Sequence, residues 1–296
     1  MRLVGVEFGI SVAPQWRDQA EIVRVVQAAD SSGLDLVGIQ DHPYQWRFHD
    51  TWTLISYLAG RTSRVRFFPD VANLPLRPPA MLAKSVASLD VLTGGRVELG
   101  LGAGGFRDAV AAMGGPRRSP GEAVAAVEEA IDVIRLVWSG ERGVRYEGTH
   151  YRLAGLHTGP VPAHPIGIWL GASGPRMLDL IGRKGDGWVP SSGWAPPASL
   201  PGYLERISAA ARGAGRDPSE IRRVYNIGGI IGPSTGKPFE GPPAFWVEQL
   251  LGLVEIGMDA FVFWPTGEDA VGQVEAFARE VMPAVRGGEK PGPASS

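Results

Sequence analysis

The chain has 296 residues, of which 44% are apolar and 20% charged, with a formal net charge of −2 and no cysteine. That much apolar material supports a large core and excludes global disorder. The absence of cysteine removes disulfides, thiolate metal sites and a cysteine nucleophile, and no basic cluster of the nucleic-acid-binding kind is present.

Residues 3–10 form an apolar run interrupted by Glu7, which reads as a first strand and not as a signal peptide. No apolar run approaches the roughly 20 residues that span a bilayer, so a cytoplasmic protein with neither membrane nor nucleic-acid partners is expected. Residues 17–32 place Ile22, Val25, Val26 and Ala29 on one helical face. A strand over 34–40 lies between Gly33 and Pro43, and a helix over 50–61 follows. Residues 65–71 are a third strand, and the helix over 79–92 tolerates proline at its first turn. After a fourth strand at 96–101, Ser119-Pro120-Gly121-Glu122 is a capping box that opens a helix reaching about Trp138. Residues 144–153 read as a small hairpin turning at Gly148, inserted after that fourth long helix.

Strands over 166–171, 187–190, 222–231 and 259–264 then alternate with helices over 176–184, 200–213, 244–256 and 269–285. Eight strands alternating with eight helices predict an α/β fold, a (β/α)8 TIM barrel, as a single domain over residues 1–286. The Gly/Pro/Ser-rich segment 287–296 is predicted to be a disordered tail.

In such a barrel the carboxyl ends of the strands form the catalytic rim. Asp41 and His42 stand where the second strand ends, and His42 is the one histidine of five directly at such an end. Its titration range suits it to general acid–base work or to hydrogen bonding a cofactor carbonyl. Gly100-Leu101-Gly102-Ala103-Gly104-Gly105 formally matches G-x-G-x-x-G, but the capped helix starts too late for a dinucleotide fingerprint. It fits better as a rim loop whose missing side chains let a flat ligand approach the backbone. Gly171-Ala172-Ser173-Gly174-Pro175 opens a helix, where free N–H groups make either an anion site or an ordinary cap. Asp70 and Asn73 end strand three, yet the first strand offers no H-x-H pair and no metal is expected. The four lysines end no strand, which disfavours a Schiff base. Trp188, Trp194 and Trp264 fall at or just past strand ends, as walls of a flat pocket or as simple rim packing. The Gly/Pro-rich segment 232–243 is long enough to be a lid.

Taken in order, these stretches resemble the luciferase-like monooxygenase superfamily, barrel proteins that use flavin or the 5-deazaflavin coenzyme F420. The carriers are Asp41-His42, Val71-Ala72-Asn73 with Arg77-Pro78-Pro79-Ala80, and Leu92-Thr93-Gly94-Gly95-Arg96-Val97-Glu98-Leu99-Gly100-Leu101-Gly102. The Ser119–Glu122 box and the Gly171–Pro175 turn with Gly185-Asp186-Gly187-Trp188 complete the set, over about residues 3 to 285. The resemblance implies a non-prolyl cis peptide at Asp70-Val71, behind the ring. It implies cofactor contacts from Asp41, Asp70, Val71 and Asn73, and from Gly102, Ala103 and Gly104. Gly171, Ala172, Ser173, Gly174 and Gly187 would cradle the phosphate. His42 would be the catalytic acid or base, with Asp41 positioning the cofactor or the histidine. Trp46, Gly105, Trp188 and Trp264 would face the substrate.

The sugar-phosphate dehydrogenase branch has Trp-Arg four and five residues after the histidine, matched by Trp46-Arg47. Its glutamate after the strand-four glycines is replaced by Gly105. The implied activity is hydride transfer between coenzyme F420 and a small organic substrate. The alternatives are an FMN-dependent monooxygenase served by a separate reductase, and a non-catalytic flavin-binding relative. A homodimer is expected.

Overall fold

The computed structural model describes residues 5–288. Among them, eight parallel strands form the wall: β1 (Glu7–Val12), β2 (Leu36–Ile39), β3 (Arg66–Pro69), β4 (Leu99–Gly102), β5 (Ile168–Leu170), β6 (Gly187–Trp188), β7 (Arg222–Ile231) and β8 (Ala260–Pro265). Neighbours in sequence pair in parallel, and β8 returns to β1 in a register running from Glu7 opposite Ala260 to Ile10 opposite Phe263. Between β3 and β4 the ladder narrows to a bridge, where the Phe67 N–H donates to the Arg96 carbonyl and the Glu98 N–H to the Phe67 carbonyl, each at 2.9 Å. That bridge closes the barrel. A two-residue continuation of β3, Ala72–Asn73, pairs with the end of β4.

The outer layer holds α1 (Gln19–Ser31), α2 (Thr51–Ala59), α3 (Pro79–Thr93), α4 (Pro120–Trp138), α5 (Pro175–Lys184), α6 (Leu200–Gly213), α7 (Pro243–Glu255) and α8 (Ala270–Ala276). α8 continues through a π-helical turn, Phe277–Val281, into Met282–Gly287. The capping box at Ser119 and Glu122 is fully formed. The hairpin after α4 pairs Val144–Glu147 with Arg152–Leu156. No helix among the described residues is long and apolar enough to cross a membrane. The predicted tail is corrected at its start, because Gly287 ends a helix and Gly288 caps it at φ 67°. The remainder of that tail, like residues 1–4, lies outside the described residues.

Alternation along each strand decides what lies on either side of the wall. Phe8 and Ile10 of β1 face outward into the helix-packed core, as do Val37 and Ile39 of β2. Inside, three layers stack along the axis. The floor is ionic: Arg66 bonds both Glu7 and Glu98, and Arg222 bonds Glu7 and approaches Asp259. Above it Leu36, Phe68, Trp169, Val224, Ala260 and Val262 form a separate apolar cluster, with Phe68 edge-on to Trp169 at 5.2 Å. Glycines make room for these rings. A Cβ on Gly38 would stand 2.8 Å from the Phe68 ring, and one on Gly187 2.5 Å from Trp169. The third layer, at the carboxyl ends, is polar and open.

The floor yields a stability test. Removing the Arg66 guanidinium strands Glu98, whose side chain is only 7% exposed, so Arg66→Met should cost about 3 kcal/mol in urea denaturation. The Arg66→Met/Glu98→Gln double variant should lose less than the sum of the two single changes.

Candidate active site

A cleft of about 310 Å³ opens at the carboxyl ends of the strands, and all eight strands reach it. Its wall runs from Ser11 after β1 through Asp41, His42 and Tyr44, then Asp70, Val71 and Asn73, to Gly102, Gly104 and Gly105. Gly171, Val189, Ser191, Asn226, Gly228 and Trp264 complete the ring. Past His42 and Phe106 an adjoining hollow of about 460 Å³ is lined by Ala172, Ser173, Pro190, Trp194 and Ala195. A third, of about 680 Å³, continues from Gly104 and Gly105 between the starts of α4 and α5, flanked by Ala103, Gly174, Arg107 and Arg176.

Asp41 is fully buried, and both its oxygens are taken. Oδ2 accepts from Arg77 Nε at 2.7 Å and from the Asn73 N–H at 2.8 Å, while Oδ1 accepts from Arg77 Nη2 at 2.7 Å. Arg77 Nη2 also reaches Asp50, which caps α2 through the Thr53 N–H. Burial works against the guanidinium, but Asp41 and Asp50 raise its pKa well above the usual range. This clamp ties the β2 loop, the β3 loop and the start of α2 together. Of the two expected roles of Asp41, positioning the histidine is not met by a hydrogen bond, because its oxygens are taken by Arg77 and Asn73. Tyr44 takes that place, with its hydroxyl 2.7 Å from His42 Nδ1. Burial lowers the His42 pKa, against the opposing charge of Asp41, which favours the neutral imidazole. Burial and Asp41 push the Tyr44 phenol up to about 12. Phe106 stands edge-on to the imidazole at 5.5 Å.

Asp70 lies at the base of the cleft. Its Oδ1 accepts from Asn226 Nδ2 at 2.9 Å and its Oδ2 from the Ser11 hydroxyl at 3.5 Å, both neutral donors. Burial pushes its pKa up to about 6, with those two hydrogen bonds opposing. The peptide from Asp70 to Val71 is cis. The Val71 side chain then fills the space that Gly100, Gly102 and Gly171 leave, where added Cβ atoms would stand 3.0, 2.7 and 2.9 Å from it. Gly104 takes φ +77° against Pro75, whereas Gly105 and Gly174 face open space. Two buried acceptors in this wall, Asn73 Oδ1 and Asn226 Oδ1, have no hydrogen-bond partner. Glycine-lined space beside unpartnered acceptors fits a flat heterocycle bearing N–H donors.

Three expected contacts are corrected. Gly187 is buried beneath Trp169 and lines none of these hollows, because its missing side chain serves interior packing. Trp188 is fully buried and donates from Nε1 to the Ala172 carbonyl at 2.8 Å, so it supports the 171–174 turn from behind. Trp46 is 67% exposed, carries the Arg47 guanidinium on its ring and stands outside the cleft. Gly105 and Trp264 do line it. Ser11, Tyr44, Phe106 and Asn226 escaped the sequence reading. The clearest missed signal is Asn226, the one amide side chain in β7, set before the apolar run Ile227–Ile231.

Residues 6–235 match the luciferase-like monooxygenase family. The chain belongs to that family. It is 33% identical over 220 residues to the F420-dependent hydroxymycolic acid dehydrogenase of Mycobacterium tuberculosis, an alignment covering 71% of this chain and 59% of that enzyme. It is 26% identical to the F420-dependent glucose-6-phosphate dehydrogenase of Segniliparus rotundus, covering 95% of this chain and 98% of the relative. An F420-dependent secondary alcohol dehydrogenase solved with an F420–acetone adduct shares the fold, at a TM-score of 0.85 and 19% identity over 95% of this chain and 99% of that one.

Two measurements test the roles assigned to this family member's own residues. The folded state binds the Asp70 proton more tightly than an ordinary carboxyl of pKa 3.8 does. The stabilising effect of that proton is complete below about pH 4 and is lost as the pH rises through about 6. Asp70→Asn should therefore exceed wild type by about 2–3 kcal/mol at pH 8 in urea denaturation, with the margin shrinking toward pH 4. Gly187→Ala should lose about 1–3 kcal/mol by overpacking Trp169, while the ligand affinity of the folded protein stays within about twofold.

Proposed function

We propose that the protein is an oxidoreductase that uses coenzyme F420 to exchange a hydride with a small, uncharged organic substrate. The observation that carries this reading is a neutral, Tyr44-held His42 on the same cleft wall as the two unpartnered acceptors, Asn73 Oδ1 and Asn226 Oδ1. The choice of F420 over FMN rests on the relatives, whose names are those of F420-dependent dehydrogenases. Bound there, the cofactor would supply the hydride donor or acceptor.

Asn73, Asn226 and Val71 would hold the ring, against the glycine wall of Gly102, Gly104 and Gly171. The hollow between α4 and α5 would take the anionic tail. The first turn of α5 carries no acidic residue to offset its positive end, and Arg107 and Arg176 flank the space. Trp264, Trp194 and Phe106 give the substrate side an aromatic lining.

His42 handles the proton that accompanies hydride transfer. The Tyr44 hydroxyl both accepts and donates, so it can hold either tautomer of the neutral ring. When it accepts from Nδ1–H, Nε2 is a free base that takes the hydroxyl proton of an alcohol as the hydride leaves the adjacent carbon. When it donates to Nδ1, Nε2–H gives its proton to a carbonyl oxygen as the hydride adds to the carbonyl carbon. The Asp41 charge nearby favours the imidazolium that the first direction produces.

Fluorescence titration should give micromolar affinity for coenzyme F420 and at least tenfold weaker affinity for FMN. Preference for reduced FMN would instead support a monooxygenase fed by a reductase. His42→Ala should lower kcat by about 10²–10⁴ with cofactor affinity unchanged within about threefold. Parallel loss of both would remove His42 from the proton-transfer role, and binding without turnover in wild type would favour a non-catalytic relative.

A further inference from the structure

We infer that Asp70 couples cofactor binding to proton uptake: a flat ring closing over the floor of the cleft drives the carboxylate to the neutral acid, which then donates a hydrogen bond. The inference rests on the cofactor reading above, and it concerns a residue that the hydride and proton steps do not use.

The argument begins with what surrounds the carboxyl. From β1 the group facing it is the Ser11 hydroxyl, and from β7 the Asn226 amide. From β2 it is Gly38, where even a Cβ would stand 3.2 Å from Asp70 Oδ2. No cation among the described residues pairs with it. The titratable groups sharing the cleft are Asp41, His42 and Tyr44. Asp41 is matched by Arg77, and His42 is hydrogen-bonded to Tyr44. Asp70 thus keeps its charge only through two neutral donors, one of them at 3.5 Å, and through whatever water the open cleft supplies.

A ring seated on the floor removes that water. An ionised carboxylate cut off from solvent with no counter-charge is costly, and protonation is the cheaper state. Burial by the protein alone already brings the carboxyl up to about 6. The proton comes from solvent. It leaves Oδ1 still accepting from Asn226 and turns the other oxygen into a donor to the ligand or to Ser11. A cation partner at this position would cancel the effect, and none is present among the described residues.

Titration calorimetry of the whole protein with oxidised coenzyme F420, in two pH 7 buffers of different ionisation enthalpy, counts the protons exchanged. Wild type should take up about 0.9 proton per binding event, and its affinity should fall about fivefold from pH 6 to 7 and about tenfold from pH 7 to 8. Asp70→Asn should take up about 0.9 proton fewer than wild type, since any proton the cofactor itself exchanges is common to both proteins. His42→Gln should retain the wild-type uptake. An infrared difference spectrum should show a carboxylic acid carbonyl band appearing on binding to wild type and absent in Asp70→Asn. Tight binding with equal proton exchange in wild type and Asp70→Asn overturns the inference, as does loss of the wild-type exchange in His42→Gln. Failure of coenzyme F420 to bind at all overturns the cofactor reading, and this coupling falls with it.

Discussion

Eight short parallel strands enclose one interior volume, and the side chains that fill it determine where a ligand can go. Here the lower two thirds are full. Arg66 spans two carboxylates across the floor, and Phe68 and Trp169 occupy the middle because glycines on the neighbouring strands leave them room. At the carboxyl end the same device runs in reverse. Val71 takes the space beside Gly100, Gly102 and Gly171, and beyond it Gly104 and Gly105 leave the wall bare. The ligand cleft is what remains when the aromatic layer stops one level short of the rim. An α/β barrel is a packed core and not a pore, and the cleft here is a shallow extension of that core.

Rim loops need fixing if they are to hold a ligand, and the clamp of Asp41, Arg77 and Asp50 does this. A buried carboxylate without its guanidinium would be strongly destabilising, so the two must stay together wherever the loops move. The bidentate geometry adds direction to the attraction. With Asp41 also accepting from the Asn73 N–H, a single side chain sets the relative placement of the β2 and β3 loops. Those are the loops that carry His42, Asp70 and Asn73. Asp41 thus contributes to the site by holding its neighbours still, while Tyr44 orients the histidine.

Much of this was legible in the sequence, for a reason that also explains the gaps. The alternation of buried runs and amphipathic segments is a local property. It placed β7 and α6 at the residues where they occur, together with the Ser119 cap. Rim position marked His42, Asp70, Gly105 and Trp264 because strand ends are local as well. Pairings across the barrel are not local. Arg77 is 36 residues from Asp41 and Asn226 is 156 from Asp70, and no spacing rule joins them. Trp188 shows the same limit from the other side. Its position at a strand end is right for a pocket wall, but alternation turns its ring outward and onto Ala172, beneath the 171–174 turn. Gly187 reads as a ligand cradle only until Trp169, 18 positions earlier, is seen to need the space.

Asp70 is the residue where local and global demands conflict. Every other carboxylate turned into the barrel has a cation: Glu7 has Arg66 and Arg222, and Glu98 has Arg66. A neutral side chain such as asparagine would satisfy Ser11 and Asn226 without the desolvation cost that burial imposes on an acid. Retaining an acid there works against stability at neutral pH, and such a conflict in a folded chain is expected at a site that serves something other than the fold. The conflict also has a direction. The floor of the ionic layer is matched in charge and closed, whereas the floor of the cleft is unmatched and open. A flat ring that brings no cation settles the imbalance by the one route left, a proton from solvent.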